Sequence, residues 1–198
     1  MKRVKAIIDS IRDSENSKEV ENGKVVLSEQ ILGTKPVGYC YELFQALPED
    51  DIQKLMYSYR NPFPKPLAEF YKITNGMFMF GRFVSIFGVP EWEAKYKQPI
   101  PLAFADGHRT MGCPLNRLFF ASYATNPQMQ IFFNTNESGD NMKVYAARYG
   151  NNKVIAEWDS FGDWFVSEYV RYSTMYRENQ FQMIDVVKGV LRNIIFES

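Results

Sequence analysis

The sequence is poor in the side chains that bind metals or carry redox chemistry. It has one histidine, His108, and two cysteines, Cys40 and Cys113, among 198 residues. A single histidine excludes an all-histidine metal site and a two-histidine mechanism within one chain. The cysteines are far apart and neither belongs to a CxxC pair, which argues against a zinc ribbon or a disulfide scaffold. We therefore expect two free thiols in a reducing compartment, with no bound metal and no other cofactor.

The sequence also lacks a net charge and a long apolar run. Its 23 basic residues balance its 23 acidic residues, so no overall field favours nucleic acid or an acidic membrane surface. No apolar run approaches the length that spans a bilayer, and residues 1–9 become polar before a signal-peptide core develops. We expect a cytoplasmic protein that binds neither nucleic acid nor a membrane.

Common catalytic motifs do not occur. The patterns GxxxxGK[ST], GxGxxG and GxSxG, which bind nucleotides or carry a nucleophilic serine, are missing from the sequence. Two arrangements stay open: His108 with Cys113 as base and nucleophile, and Glu93 with Lys95 in an E-x-K element like that of some metal-dependent nucleases. The turn at 136–141 offers oxygen ligands but lacks the spacing of a calcium loop. We expect no catalytic residues, and we rank a metal-dependent hydrolase third among the functional hypotheses.

Aromatic residues are what the sequence has in excess. Sixteen Phe, twelve Tyr and three Trp make up 16% of the chain. Such side chains bury large areas in protein cores and dominate many protein interfaces. We expect a bulky aromatic core, with rings suited to anchoring a partner.

Apolar spacing, prolines and capping residues predict six helices, most of them towards the two ends of the chain. These helices are expected over 4–11, from Pro48, from near Pro66, over 90–97, from Ser160 and over 184–195. Runs of β-branched and aromatic residues between Gly, Asn and Pro turns predict strands. These strands are expected over 25–27, 77–80, 83–87, 100–105, 118–123, 130–134, 143–147 and 153–157. The predicted fold is α+β: one domain over 1–198, with a twisted, mainly antiparallel sheet and helices from both chain ends packed around it.

Local signals at four positions make sharper predictions. Gly76 is expected just after a helix with a positive φ, which glycine adopts readily. Ser160 and Asp163 form a capping box at the start of a helix. Trp164 shares a face of that helix with other aromatic residues, so we expect it to lie in the core.

Four segments occur in the order in which they are found in one protein family. The segment 67–76 reads LAEFYKITNG, the hairpin after it ends in VSIFG at 84–88, the segment 101–107 reads PLAFADG, and 161–165 reads FGDWF. Together they cover about 48–172 and resemble the SUKH superfamily of Smi/Knr-type domains. The residues that carry the family motifs, for which the resemblance implies structural roles, are Phe70, Asn75, Gly76, Gly88 and Trp164.

The resemblance implies an α+β binding module without catalytic activity. Bacterial members are typically immunity proteins that bind and neutralise a toxin domain, and this is the leading hypothesis for function. The alternative is a regulatory or scaffold protein of the type that controls cell-wall synthesis. The chain departs from the family pattern at 108–110, where His-Arg-Thr replaces the usual glycine and acidic residues. Residues 177–198 extend beyond the usual length of the domain, and an additional C-terminal helix is predicted there.

Two loops are predicted to bind the protein partner. Loops between strands carry binding residues on a rigid scaffold, and these two place opposite charges beside apolar strand ends. One loop contains Asp106, His108 and Arg109, and the other is the acidic turn with Glu137 and Asp140.

Overall fold

The computed structural model describes residues 1–20, 23–27, 40–58, 63–89, 103–104, 116–124, 129–148 and 153–177. Within these ranges the chain forms four helices, which are α1 (Lys2–Arg12), α2 (Glu49–Ser58), α3 (Lys65–Tyr71) and α4 (Phe161–Arg177). The first strands are β1 (Ser17–Glu19), β2 (Val25–Leu27), β3 (Tyr41–Leu43), β4 (Met77–Met79) and β5 (Val84–Ile86). The later ones are β6 (Ala103–Phe104), β7 (Arg117–Tyr123), β8 (Met129–Asn134), β9 (Val144–Arg148) and β10 (Val154–Trp158).

All ten strands join one antiparallel sheet. The order across it is β1-β2-β3-β4-β5-β7-β8-β9-β10, and β6 pairs with β7 beside that path. Strands that follow one another in the chain are therefore mostly neighbours in space, as consecutive strands commonly are. The predicted α+β class, with helices from both chain ends packed on an antiparallel sheet, is confirmed.

The two faces of the sheet carry different residues. Side chains alternate along a strand, so Tyr41 and its opposite residue Met79 lie on one face, while Glu42 and its opposite residue Phe78 lie on the other. Helix α4 covers the first face, where the ring of Tyr169 lies 6.4 Å from that of Tyr41. We call the covered side the helix face and the opposite side the far face.

The aromatic core lies between the helix face and the helices. Trp164 is fully buried; its ring packs edge-on against Phe120, with 5.0 Å between centroids, and its Nε1 donates a hydrogen bond to Tyr123 Oη at 2.8 Å. Phe70 of α3 and Phe161 of α4 are also fully buried, with their rings 5.3 Å apart. The predicted core position of Trp164 is confirmed.

Helices α1 and α4 form as their sequences predict. Val4, Ile8 and Ile11 of α1 are buried, so the face defined by their spacing packs against the domain. At the start of α4 the backbone N–H of Asp163 donates to Ser160 Oγ at 3.1 Å, and Ser160 Oγ donates to the Asp163 carboxylate at 2.7 Å. The predicted cap at Ser160 is confirmed, and such a cap stabilises a helix by about 1 kcal/mol. The second half of the capping box differs from the prediction, because the Asp163 carboxylate accepts from the Ser160 hydroxyl and not from its backbone N–H.

The segment after α3 corrects one detail of the prediction. Gly76 has the expected positive φ, 87°, but α3 already ends at Tyr71, so Gly76 lies in the turn that leads into β4 and not at the helix terminus. Thr74 accounts for the earlier end. Its Oγ1 accepts a hydrogen bond from the backbone N–H of Phe44 at 3.0 Å and donates to the Gly76 carbonyl at 2.8 Å. A hydroxyl that bonds the backbone competes with continued helix.

Asn75 joins three segments of the chain at this turn. Its Oδ1 accepts from the backbone N–H of Val89 at 2.8 Å, and its Nδ2 donates to the Val89 carbonyl at 3.4 Å. Its own backbone N–H donates to the Gln45 carbonyl at 3.2 Å. Gly88 is buried next to Val89, so two of the family-motif positions meet here.

Some predictions differ from the structure or fall outside it. Strands β1 and β3 form where no strand was predicted. The predicted helices over 90–97 and 184–195, and most of the strand over 100–105, lie outside the described residues. One domain over 1–198, with an additional helix over 177–198, stays a prediction.

Candidate functional site: a patch of cations and aromatic rings

The acidic turn between β8 and β9 contains two of the predicted partner-binding residues. Glu137 is engaged within its own hairpin, because Tyr145 Oη donates to its carboxylate at 2.7 Å and Asn134 Nδ2 donates to the same oxygen at 3.2 Å. Burial, and then the hydrogen bond to Glu137, raise the pKa of Tyr145 to about 12. Glu137 therefore shapes the turn through these two contacts.

Asp140, three residues further on, has a different partner. Its carboxylate lies 2.8 Å from Lys65 Nζ at the start of α3, and both side chains are exposed. The hydrogen bond to Asp140 raises the pKa of Lys65. The pair lines an open cleft of about 370 Å³ that also includes Glu69 and Ser160. Glu137 and Asp140 thus face different neighbours.

Asp106, His108 and Arg109 lie outside the described residues, and their binding role stays a prediction.

A different cluster on the far face has the geometry of a binding site. It consists of Lys24, Glu42, Phe44, Phe78 and Arg82, which we call the Arg82 patch. These residues come from β3, β4 and the chain next to β2, β3 and β5, and the sheet brings them together from distant parts of the sequence.

A buried carboxylate lies at the centre of the Arg82 patch. Glu42 is only 3% exposed, and a buried acid is costly unless cations pair with it. Arg82 Nε donates to Glu42 Oε1 at 3.0 Å, and Lys24 Nζ donates to Oε2. Each carboxylate oxygen therefore has one cationic donor.

Aromatic rings support both cations of the patch. The guanidinium carbon of Arg82 lies 4.6 Å from the centroid of Phe78, and Lys24 Nζ lies 5.2 Å from that of Phe44. The two rings pack edge-on at 6.0 Å. Cation–π contacts at such distances contribute about 0.5–1 kcal/mol each at exposed sites.

Arg82 reaches this position through a strained turn. Residues 80–83 join β4 to β5, and the first three, Phe80, Gly81 and Arg82, have positive φ angles of 54°, 62° and 75°. For residues other than glycine this backbone region costs on the order of 1 kcal/mol. Phe80 is held there by burial in the core, whereas the side chain of Arg82 is 63% exposed. Strain retained at an exposed side chain is a feature of functional sites.

Sequence reasoning missed the Arg82 patch. A turn was predicted at Gly81, but nothing local connects it to Lys24 or Glu42. The one available signal was Glu42 itself, an acid between Tyr41 and Leu43 in an apolar segment. Buried acids need cationic partners, but the sequence does not say which cations these are.

A second group of ionisable side chains lies between α4 and the sheet, with most of its members on α4. Glu168 is 4% exposed and forms an ion pair with Arg171, whose guanidinium lies 4.2 Å from the ring centroid of Tyr172. Burial raises the pKa of Tyr172 to about 12 and the pKa of Tyr123 well above its usual value. Packing between helix and sheet gives this cluster a role in stability.

The structure does not describe the residues that the sequence offered for catalysis. Glu93, Lys95, His108 and Cys113 all lie outside the described residues. Within the ranges that the structure describes, no three acidic, histidine or cysteine side chains are grouped as a metal site requires. None of the described helices combines the length and apolar character needed to cross a bilayer.

The fold and the patch define an α+β domain with a preformed surface of cations and aromatic rings. The model of the SMI1/KNR4 family (SUKH-1) matches residues 46–167, and the chain belongs to this family. The resemblance seen in the sequence is thereby confirmed. Neither a search of curated proteins nor a search of solved structures found a match. The family consists generally of non-enzymatic immunity or regulatory proteins that bind protein partners.

The family match divides the Arg82 patch in two. Phe78 and Arg82 lie inside the matched residues 46–167, whereas Lys24, Glu42 and Phe44 precede them. The matched residues therefore include the exposed arginine, and the residues before the match supply the carboxylate that fixes it.

Proposed function

We propose that this protein is a cytoplasmic immunity protein that binds a cognate bacterial toxin domain and neutralises it, without catalysis and without a cofactor. Family membership supports a binding role of the immunity or regulatory type. The observation that carries the proposal is the Arg82 patch, in which a solvent-exposed guanidinium is held by a buried carboxylate and an aromatic ring.

The side chains of the patch are those that dominate protein interfaces. Arginine and aromatic residues are enriched at the centres of interfaces and among the residues that contribute most to affinity. A long arginine side chain normally loses rotamer freedom when it binds. Arg82 is already restricted by Glu42 and Phe78, so less entropy is lost on binding. A preorganised anchor of this kind supports tight binding to a protein.

The balance of charge bears on the kind of toxin. Strong steering towards a basic nuclease requires an acidic surface, and this chain has no net charge. The proposal therefore depends on local contacts at the interface more than on long-range attraction. The predicted loops, with Asp106, His108 and Arg109 in one and Glu137 and Asp140 in the other, are proposed as a further part of that interface.

A growth experiment tests the proposal. The product of each gene encoded beside this one is expressed in bacteria with and without this protein, and growth and complex formation are measured. We expect one product to arrest growth, this protein to restore it, and the two to co-purify. A partner that binds but is not toxic, and whose activity is modulated and not abolished, would favour the regulatory alternative. A toxic product that this protein neither binds nor counteracts would contradict the proposal.

A further inference from the structure

We propose that Arg82 is the docking point for a carboxylate, so that the partner presents an acidic segment to the Arg82 patch. This inference rests on the proposed function and adds the chemical nature of the partner. Three features of the patch support it: the donors that remain on Arg82, the charge of the cluster and the direction from which a ligand can approach.

The first feature is the number of hydrogen-bond donors that remain on Arg82. A guanidinium has five N–H donors, one on Nε and four on the two Nη atoms. Arg82 contacts Glu42 through Nε alone, at 3.0 Å. Lys24 bonds the other oxygen of Glu42, so that oxygen is already occupied by a cation. Among the described residues, no hydrogen bond from either Nη of Arg82 is found. The outer edge of the guanidinium therefore remains available to a ligand.

The second feature is the charge of the cluster. Two cations, Lys24 and Arg82, face one carboxylate, Glu42, so one positive charge is left over. Lys24 is the more buried of the two, with its side chain 21% exposed against 63% for Arg82. The excess charge is thus presented to solvent at Arg82. An anionic group on a partner complements this positive charge, whereas a further cation is repelled by it.

The third feature is the direction of approach. Phe78 lies against one face of the guanidinium, at 4.6 Å, and Glu42 lies at the Nε side. The edge formed by the Nη atoms remains, and that edge matches the two oxygens of a carboxylate in a bidentate pair. A partner aspartate or glutamate fits this edge.

A peptide titration tests the inference without the natural partner. The full-length ¹⁵N-labelled protein is titrated with a glutamate-rich peptide, its glutamine counterpart and a short single-stranded oligonucleotide, each up to roughly 10 mM because a single anchor contact binds in the millimolar range. We expect amide shifts at residues 78–84 with the glutamate peptide only, weakened by added salt. They should vanish in Arg82→Gln and persist in Arg148→Gln, which changes an exposed arginine on β9. No shifts at 78–84, or equal shifts with the glutamine peptide, would overturn the inference. Equal shifts with the oligonucleotide would also overturn it, in favour of a phosphate ligand.

The cognate partner, once identified by growth rescue, provides a second test. Arg82→Gln is expected to weaken binding by about tenfold or more, as for a residue at the centre of an interface. Arg82→Lys should lose nearly as much, because lysine cannot form the bidentate pair. Arg148→Gln serves as the control and should stay within about twofold. Growth rescue with unchanged affinity in both Arg82 variants would preserve the proposed function and refute the docking point.

Discussion

The helix face and the far face of the sheet use aromatic residues in different ways. On the helix face, Trp164 and Phe120 pack on one another and are completely buried. On the far face, Phe78 and Phe44 lie beneath the cations Arg82 and Lys24, one of which is exposed. Rings packed on rings stabilise the fold, whereas rings packed under cations hold charged groups in place. Variants that separate stability from binding can test this difference.

The largest effect on stability is expected from the helix face. Trp164→Ala removes a fully buried ring and its hydrogen bond to Tyr123, and we expect a loss of about 3–5 kcal/mol in the free energy of unfolding. Urea unfolding monitored by circular dichroism measures it. Val170→Ala, on the exposed side of the same helix, is the matched control and should change stability little. A loss below about 1 kcal/mol for Trp164→Ala would contradict its role in the core.

The next largest effect is expected at the turn into β4. Gly76 has φ 87°, which a β-branched residue strongly disfavours, so Gly76→Val should destabilise the protein by more than about 1 kcal/mol. Gly162→Ala is the control, because Gly162 lies inside α4 and a Cβ there makes only ordinary contacts. The control should leave the melting temperature unchanged or raise it. An unchanged melting temperature for Gly76→Val would show that the turn tolerates a side chain.

Removing the buried charge of the far face should have a smaller effect on stability. Glu42→Gln leaves Lys24 and Arg82 close together without their carboxylate, and we expect a loss of about 1–2 kcal/mol. Glu157→Gln breaks an exposed pair with Lys143 and should cost less than about 1 kcal/mol. Both losses are measured by chemical denaturation, and the Arg82 Nε resonance should shift only in Glu42→Gln. Equal losses in the two variants would mean that burial gives Glu42 no special importance.

The buried Tyr172 of α4 makes the stability of the protein depend on pH. Burial raises the pKa of Tyr172 from 10.0 to about 12, so folding favours the neutral phenol. The stability that it contributes is fully present below pH 10 and is lost as the pH rises through about 12. We expect Tyr172→Phe to reduce this loss of stability at alkaline pH by on the order of 1 kcal/mol. Urea unfolding across that pH range measures it. Tyr57→Phe, at a side chain that is 87% exposed, should leave the slope unchanged. The same slope in wild type and Tyr172→Phe would contradict the prediction.

The smallest effects on stability are expected in the two predicted binding loops. Arg109→Glu and Asp140→Lys should leave the melting temperature nearly unchanged, and each should lower affinity for the identified partner, mainly through the association rate. Surface plasmon resonance measures both rates. Asp140→Lys also breaks the exposed pair with Lys65, which is worth little to stability. Wild-type affinity in both variants would place the interface elsewhere, with the Arg82 patch as the next surface to test.

The elements that the sequence predicts well have local signals. Helix α4 has a serine cap, an acidic residue three positions later and aromatic residues on one side, and all of these lie within a few turns. The hairpin of β4 and β5 has two apolar runs around Gly81. Strand β3, Tyr41–Leu43, was missed because three residues, although apolar and charged side chains alternate in them, are too few to establish a strand pattern. That strand forms because β2 and β4 pair with it on either side.

The candidate site could not be predicted from the sequence for the same reason. Its contacts join Lys24, Glu42 and Arg82, and only the order of strands in the sheet brings these residues together. The acidic turn was identified from its residues, but Glu137 and Asp140 proved to have separate partners within the fold. Local patterns therefore predicted the scaffold, and long-range pairing decided which charged side chains meet.

The origin of the Arg82 patch in two stretches of the chain affects how recognition can change over generations. The domain shared with the family carries Arg82 and Phe78, whereas Lys24, Glu42 and Phe44 belong to the preceding residues. A substitution at position 24 or 42 can redirect the guanidinium while the arginine itself and the aromatic core stay the same. Diverging pairs of binding proteins and targets can in this way acquire new preferences while Arg82 is kept, at the loss of stability expected when the buried carboxylate is changed.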